Sequence, residues 1–312
     1  MSLPAAPAPP TGLGIRFFLV GYLPTYAASL FLLMLIWADG GQGTSFKRAW
    51  QVASDLTASQ IVLMTLAVLL LGLMLGPLQL GVVRFLEGAW PAWLSQHARK
   101  WHLRRKGKLA GRSVPASSAP DVVLAAGLAG QRYRDRYPEL DDLVRPTGLG
   151  NILAAMEDRA GRAYGLDAVV AWPRLYPLLG PATKAVVDDR RTTLDYAARL
   201  AVTAGFTTMG TLIIMRSAGW WLLLALAPAA VALVSYFGAV RAALAYGESV
   251  RATFDLHHLD FGAAFGLPRA PDLNVESDVH RRLCDLWRQG IPYDFAHEPR
   301  PADVNMKIGG TP

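Results

Sequence analysis

The 312-residue chain has a single cysteine, which leaves no intramolecular disulfide and no cysteine-based zinc site open to it. A disulfide-stapled secreted fold is excluded. Charge is scarce as well: 18% of the residues are Asp, Glu, Lys or Arg, against about 25% in ordinary globular domains. With 52% apolar residues and a mean hydropathy of +0.25, that deficit reflects long uncharged runs, which belong in a membrane. Catalytic signatures are missing too. There is no His-Glu-x-x-His, Gly-x-Ser-x-Gly or P-loop motif, and the middle of each apolar run lacks the acidic residue that proton-coupled carriers and intramembrane aspartyl proteases require.

Four runs have the length of a membrane-crossing helix: Arg16 to Trp37, Gln60 to Val83, Leu194 to Met215, and Trp220 to Val240. The third is the weakest, because Asp195 and Arg199 sit at its start. Only Arg216, Ser217, Ala218 and Gly219 separate it from the fourth, so these two form a hairpin. A cleaved signal peptide competes for the first run, but its apolar stretch exceeds the roughly 7 to 15 residues of such a segment and no small-x-small site follows. The proline-rich, uncharged start predicts a disordered tail over 1–14, followed by transmembrane hairpins over 15–85 and 193–241.

Between Leu86 and Arg112 the chain carries a net charge of +6, from seven Lys or Arg against Glu87. Basic residues flanking spans stay in the cytoplasm, so this segment and both termini are expected on the cytoplasmic side of a bacterial inner membrane. Trp37, Trp50, Trp220 and Trp221 then fall on the outer side as an interfacial belt. Pro24, Pro77 and Pro228 lie inside three of the four runs, where packing is the plain explanation and a hinge or cation site the sharper one. Gly205 and Gly210 with Thr203, Thr207, Thr208 and Thr211 suit close helix approach, a Thr-lined path being the alternative.

Within the basic segment 86–112, Trp90, Trp93, Leu94, His97 and Trp101 share one helical face, and Ser95, Gln96, Arg99, His102 and Lys106 share the other. This is the pattern of a helix lying in the membrane interface with its cations over anionic headgroups. The expected interface residues are Trp90, Trp93 and Trp101 with Arg99, Arg104, Arg105 and Lys106. Cations interleaved with tryptophans argue against nucleic acid.

A Pro/Ser linker, Ser113 to Pro120, leads into a small helical module that extends to 192. Helices are expected over Asp121 to Tyr137 and Asn151 to Tyr164, while Ala168 to Trp172, ended by Pro173, reads equally as strand or helix. Thr147 to Asn151 could cradle phosphate, but it lacks the rest of any nucleotide motif, so a turn with Asn151 as helix cap is the expectation. Glu157 and Asp158 precede Arg159, and Asp188 and Asp189 precede Arg190 and Arg191, which predicts surface ion pairs rather than acid-base chemistry. Asp195 and Arg199, four apart, read as a structural pair. In the tail, 242–312, Asp255, His257, His258 and Asp260 look like metal ligands, but adjacent histidines on a helix diverge by about 100°. No metal or cofactor is expected. Val279, Leu283, Leu286 and Trp287 form the apolar face of a docking helix that begins near Ser277, with Cys284 as a small buried neighbour.

The runs RPTGLGNILAAMEDRAGRAYGLDAVVAWPRL (Arg145 to Leu175), TFDLHHLDFGAAFGLP (Thr253 to Pro268) and LCDLWRQG resemble a group of uncharacterised multipass membrane proteins of actinobacteria. The resemblance implies a membrane address and a shared layout, and brings no activity, cofactor or catalytic residue. The sequence reading is thus an all-α integral membrane protein with four transmembrane helices in two hairpins and a small helical cytoplasmic module. Its expected role is a non-catalytic anchor or scaffold for a cytoplasmic protein, with Tyr164, Trp172, Arg174 and Tyr176 as the candidate partner-binding residues. A channel or transporter subunit acting as an oligomer is the alternative, and an enzyme at the lipid interface the third reading.

Overall fold

The computed structural model describes residues 23–39, 44–75 and 79–292. The expected disordered tail, the start of the first span and Pro77 lie outside the described residues. Every regular element described is helical. In chain order these are α1 (Leu23–Asp39), α2 (Phe46–Ser54), α3 (Ala58–Leu75), α4 (Gln79–Glu87), α5 (Ala92–Arg112), α6 (Pro120–Arg136), α7 (Gly148–Arg159), α8 (Ala168–Leu175), α9 (Pro181–Ile214), α10 (Leu226–Ala264) and α11 (Leu273–Gln289). The residues fall into two compact units. Of the described residues, one contains Pro91–Arg191 with 243–292, and the other contains those up to Trp90 with Thr192–Ala242.

Among the described residues, two helices, or three if a bent pair is taken as one span, have the length and apolarity of a membrane span, fewer than the four of the sequence reading. Pro181–Ile214 and Gly219–Ala264 are long and apolar enough to cross a membrane, and α2 with α3, bent by 110° at their break, make a third span if taken together. The run Gln60 to Val83 is described as α3 up to Leu75 and as α4 from Gln79, with 76–78 outside the described residues. Between α1 and α3 lies α2, whose Ala49 is buried and whose Phe46 ring lies 4.8 Å from Trp221. Phe206, Ile213, Val234 and Phe237 are exposed, as side chains facing lipid would be. Pro228 is the third residue of α10, just after the 3-10 stretch Gly219–Ala225, where the first turn of an α-helix tolerates proline. The threonines of α9 spend their hydroxyls on their own helix: Thr207 donates to Thr203 O, Thr208 to Ala204 O and Thr211 to Thr207 O, each at 2.8 Å. Gly210 allows close approach, since a Cβ there would lie 3.0 Å from a Leu32 methyl.

The unit with Pro91–Arg191 is a helical module built around α7, in which every residue from Leu149 to Met156 is buried. Its cap is Thr147, which accepts from Gly150 N at 2.9 Å. Asn151 is therefore not the cap. It lies in the first turn, buried, accepting from Arg145 N and donating to the Arg145 and Thr147 carbonyls, and with the turn closed on itself no phosphate cradle forms. Residues 168–172 belong to α8, because Asp167 caps them by accepting from Val169 N and Val170 N, and the helix runs on through Pro173 to Leu175. The tail helix begins at Leu273 rather than near Ser277, because Asp272 caps it, and Gly290 ends it in the left-handed conformation. It buries His280, Leu283 and Cys284, and sets Trp287 edge-on to Phe261 at 5.7 Å. Gly165 permits this docking. At φ +71 a Cβ would lie 2.0 Å from the Ser277 carbonyl oxygen, so only glycine lets the 162–164 turn meet α11.

Candidate functional site

Helix α5 divides its faces differently from the expected pattern of tryptophans down and cations out. Lys106 is only 5% exposed, with Nζ donating to Asp141 Oδ1 and to Glu139 O, both at 2.6 Å. Arg99 donates to Val144 O and Asp141 O, and His102 lies 3.1 Å from the Tyr137 hydroxyl. Lys106 thus holds the module together and is not available as a headgroup ligand, which corrects its expected role, whereas the Arg99 side chain stays partly exposed. Burial, with the nearby Arg105 charge second, lowers the His102 pKa to about 4. The exposed side of the helix combines Trp93 (69% exposed) and Trp101 (53% exposed) with Lys100, Arg104, Arg105 and Lys108. The Arg105 guanidinium lies 5.2 Å over the Trp101 ring. Trp90 is half-buried, its indole N–H donating to Phe85 O at 2.8 Å.

Between the 142–174 segment and α11 runs a groove of about 1020 Å³. Most of its arginines are matched by carboxylates: Arg145 with Glu157 at 2.8 Å, Arg162 with Asp158 and Glu139, and Arg288 with Asp167. Arg174 differs. Its guanidinium lies 4.3 Å over the Trp287 ring and donates to Val170 O at 2.7 Å, with no carboxylate partner among the described residues. Cys284 also lines the groove, accepting from Asp167 N at 3.4 Å. Burial, reinforced by the neighbouring Asp285, pushes its thiol up to about 12, so it is no nucleophile at neutral pH.

The four expected partner-binding residues do not share a surface. Trp172 is 2% exposed, packed between Phe254 and Tyr176, and belongs to the core. Tyr176 donates to Asp188 at 2.7 Å, and burial followed by that carboxylate raises its hydroxyl to about 12. Tyr164 stacks on His258 at 3.9 Å and donates to Asp255. Arg174 alone reaches the groove. Glu157 meets Arg145, Asp158 meets Arg162 and Asp188 meets Tyr176, and Arg159 lies over the Tyr133 ring at 5.7 Å.

Comparison of the chain with protein-family models, with curated proteins and with solved structures finds no match. Geometry therefore carries the functional reading.

A second cavity, of about 500 Å³, lies where the end of α10 meets α11. His257 pairs with Asp260 at 2.8 Å, whereas His258 pairs with Glu276 at 2.5 Å, so the adjacent histidines go to different carboxylates. Among the described residues no group of three or more His, Cys, Asp or Glu is arranged to hold a metal ion. His280 presents Nδ1 to the Tyr164 carbonyl at 2.9 Å, and burial lowers its pKa. Sequence reading missed Glu276 and His280 as site residues. Their i,i+4 spacing was visible, but their meeting with His258 and Tyr164 was not.

Proposed function

We propose that this protein is a non-catalytic scaffold of a bacterial inner membrane, which holds a helical module at the cytoplasmic surface and captures a cytoplasmic protein in the groove beside Arg174. The observation that carries this reading is Arg174 itself, an arginine braced on Trp287 beside the groove and lacking a carboxylate partner among the described residues. Arginine and tryptophan are the residue types that dominate binding hot spots, and a braced guanidinium loses little freedom on engaging a carboxylate. The module rests on the anionic leaflet through the exposed side of α5, where Trp93 and Trp101 enter the headgroup layer and Lys100, Arg104, Arg105 and Lys108 meet the phosphates. Self-association through the spans is compatible with this role.

A photo-crosslinking residue at Asp285, on the groove wall, tests the reading in cells. Capture of one stoichiometric soluble protein, lost in Arg174→Ala at unchanged membrane abundance, supports it. Purified protein that passes ions selectively across vesicles, with no captured partner, replaces it with the channel reading. For the lipid contact, Trp93→Ser with Trp101→Ser is expected to raise protease access to Ser113 to Pro120 without releasing the protein from the membrane; unchanged cleavage removes the interfacial helix from the scheme.

A further inference from the structure

Gly262 lacks a side chain where α10 meets α11, and the space this leaves adjoins a buried acceptor. A Cβ at Gly262 would sit 3.6 Å from His280 Nε2, and both residues line the cavity of about 500 Å³. His280 is 2% exposed. A carbonyl oxygen only accepts hydrogen bonds, so the 2.9 Å contact with Tyr164 O puts the imidazole proton on Nδ1 and leaves Nε2 as a bare lone pair. Among the described residues no donor reaches that nitrogen. His280 lines the cavity, so this lone pair can accept from a ligand donor placed there.

The cavity supplies the other requirements of such a ligand. The Glu276 carboxylate shares the wall, largely buried, with Oε1 turned to His258 Nδ1 at 2.5 Å and its second oxygen remaining. Tyr164, stacked on His258 at 3.9 Å, holds that imidazole in place, so Glu276 is oriented through it. Ala263, Leu267 and Val279 make the apolar part of the lining, which also includes Asp260 and Arg269. The volume falls within the range of small-molecule sites.

We infer that this cavity binds a small organic primary amine in its ammonium form, which donates to His280 Nε2, takes the Glu276 carboxylate as its counter-charge, and rests its hydrocarbon body on Ala263, Leu267 and Val279. Two histidines with Nδ1 fixed by a carboxylate and a carbonyl would also suit a metal, but no third protein ligand joins them. The inference goes beyond the scaffold reading and does not depend on it.

The test uses the full chain in detergent micelles with histidine ring nitrogens labelled, and phenethylammonium as probe. A saturable shift of the His280 Nε2 resonance is expected, and 3-phenylpropanoate, the anion of similar shape, should leave it in place. Gly262→Ala, whose added methyl makes only ordinary contact with the ring, should weaken the probe by about tenfold, and Glu276→Gln by a similar factor, at an unchanged thermal midpoint for the Gly262 variant. Absence of a saturable shift, an equal response to the anion, or native affinity in Gly262→Ala overturns the assignment.

Discussion

Lys106 Nζ lies 2.6 Å from Asp141 Oδ1, on the face of α5 turned toward the rest of the module. The pair ties α5 to the short 3-10 turn Asp141–Leu143, which follows α6. The ammonium is buried and the carboxylate largely exposed. Removing the acid is therefore more damaging than its position suggests.

Asp141→Ala leaves the buried ammonium with only the Glu139 carbonyl as a charge-stabilising partner. The module should lose about 2 kcal/mol, read by denaturant or thermal unfolding of the purified protein. Trp101→Ser, on the exposed side of the same helix, should cost less than about 0.5 kcal/mol. Equal losses would mean that the two faces are not used differently.

Trp172 and Arg174 are two residues apart and have opposite expected phenotypes. Trp172→Ala opens a cavity between Phe254 and Tyr176 and should cost about 3 to 5 kcal/mol, with degradation in cells. Arg174→Ala loses the stacking over Trp287 and a carbonyl hydrogen bond, about 1 kcal/mol, and should accumulate normally while failing to capture a partner. Membrane abundance of the two variants, measured side by side, checks the assignment.

Acid should weaken the module through its buried histidines. The His102 pKa is lowered from 6.5 to about 4 by burial, and that of His280 is lowered for the same reason. Between these pH values the unfolded chain binds protons that the folded module refuses, so stability falls as pH drops from 6.5 and the His102 contribution levels off near 4. The thermal midpoint should fall by roughly 5 °C or more over that window. His102→Gln should flatten the decline, and His97→Gln, at an exposed position, should not. A wild-type profile flat across the window would contradict the buried, neutral assignment.

Cys284 is the only thiol and is raised to about 12, so a single reagent reports on docking of the tail helix. Iodoacetamide at neutral pH should leave the folded protein unlabelled and modify it fully in denaturant. Gly165→Ala, which drives a Cβ into the Ser277 carbonyl, should restore labelling without denaturant. Persistent protection in that variant would show that α11 docks without the close approach.

The length and hydropathy of the apolar runs were enough to find helices of membrane-crossing length, two or three of which the described residues contain, because hydrocarbon thickness sets a length that composition alone can meet. The expected helix Asp121 to Tyr137 matches α6 to one residue at each end, whereas the expected Asn151 to Tyr164 starts three residues after the start of α7 and runs five past its end, with the wrong cap. What the sequence could not determine was where each polar face goes. On α5, helical spacing grouped Arg99, His102 and Lys106 as a solvent-facing side, but Tyr137, Glu139, Asp141 and Val144 supply partners from 33 to 45 residues away, and a satisfied polar group is stable in the interior. The same holds for Trp172, an aromatic of the type favoured at interfaces that tertiary packing turned inward, and for His280, whose chemistry depends on a carbonyl 116 residues earlier in the chain. Periodicity determines which residues share a face; only the packed fold decides whether that face meets protein, water or lipid, because the decision rests on partners that are distant in sequence.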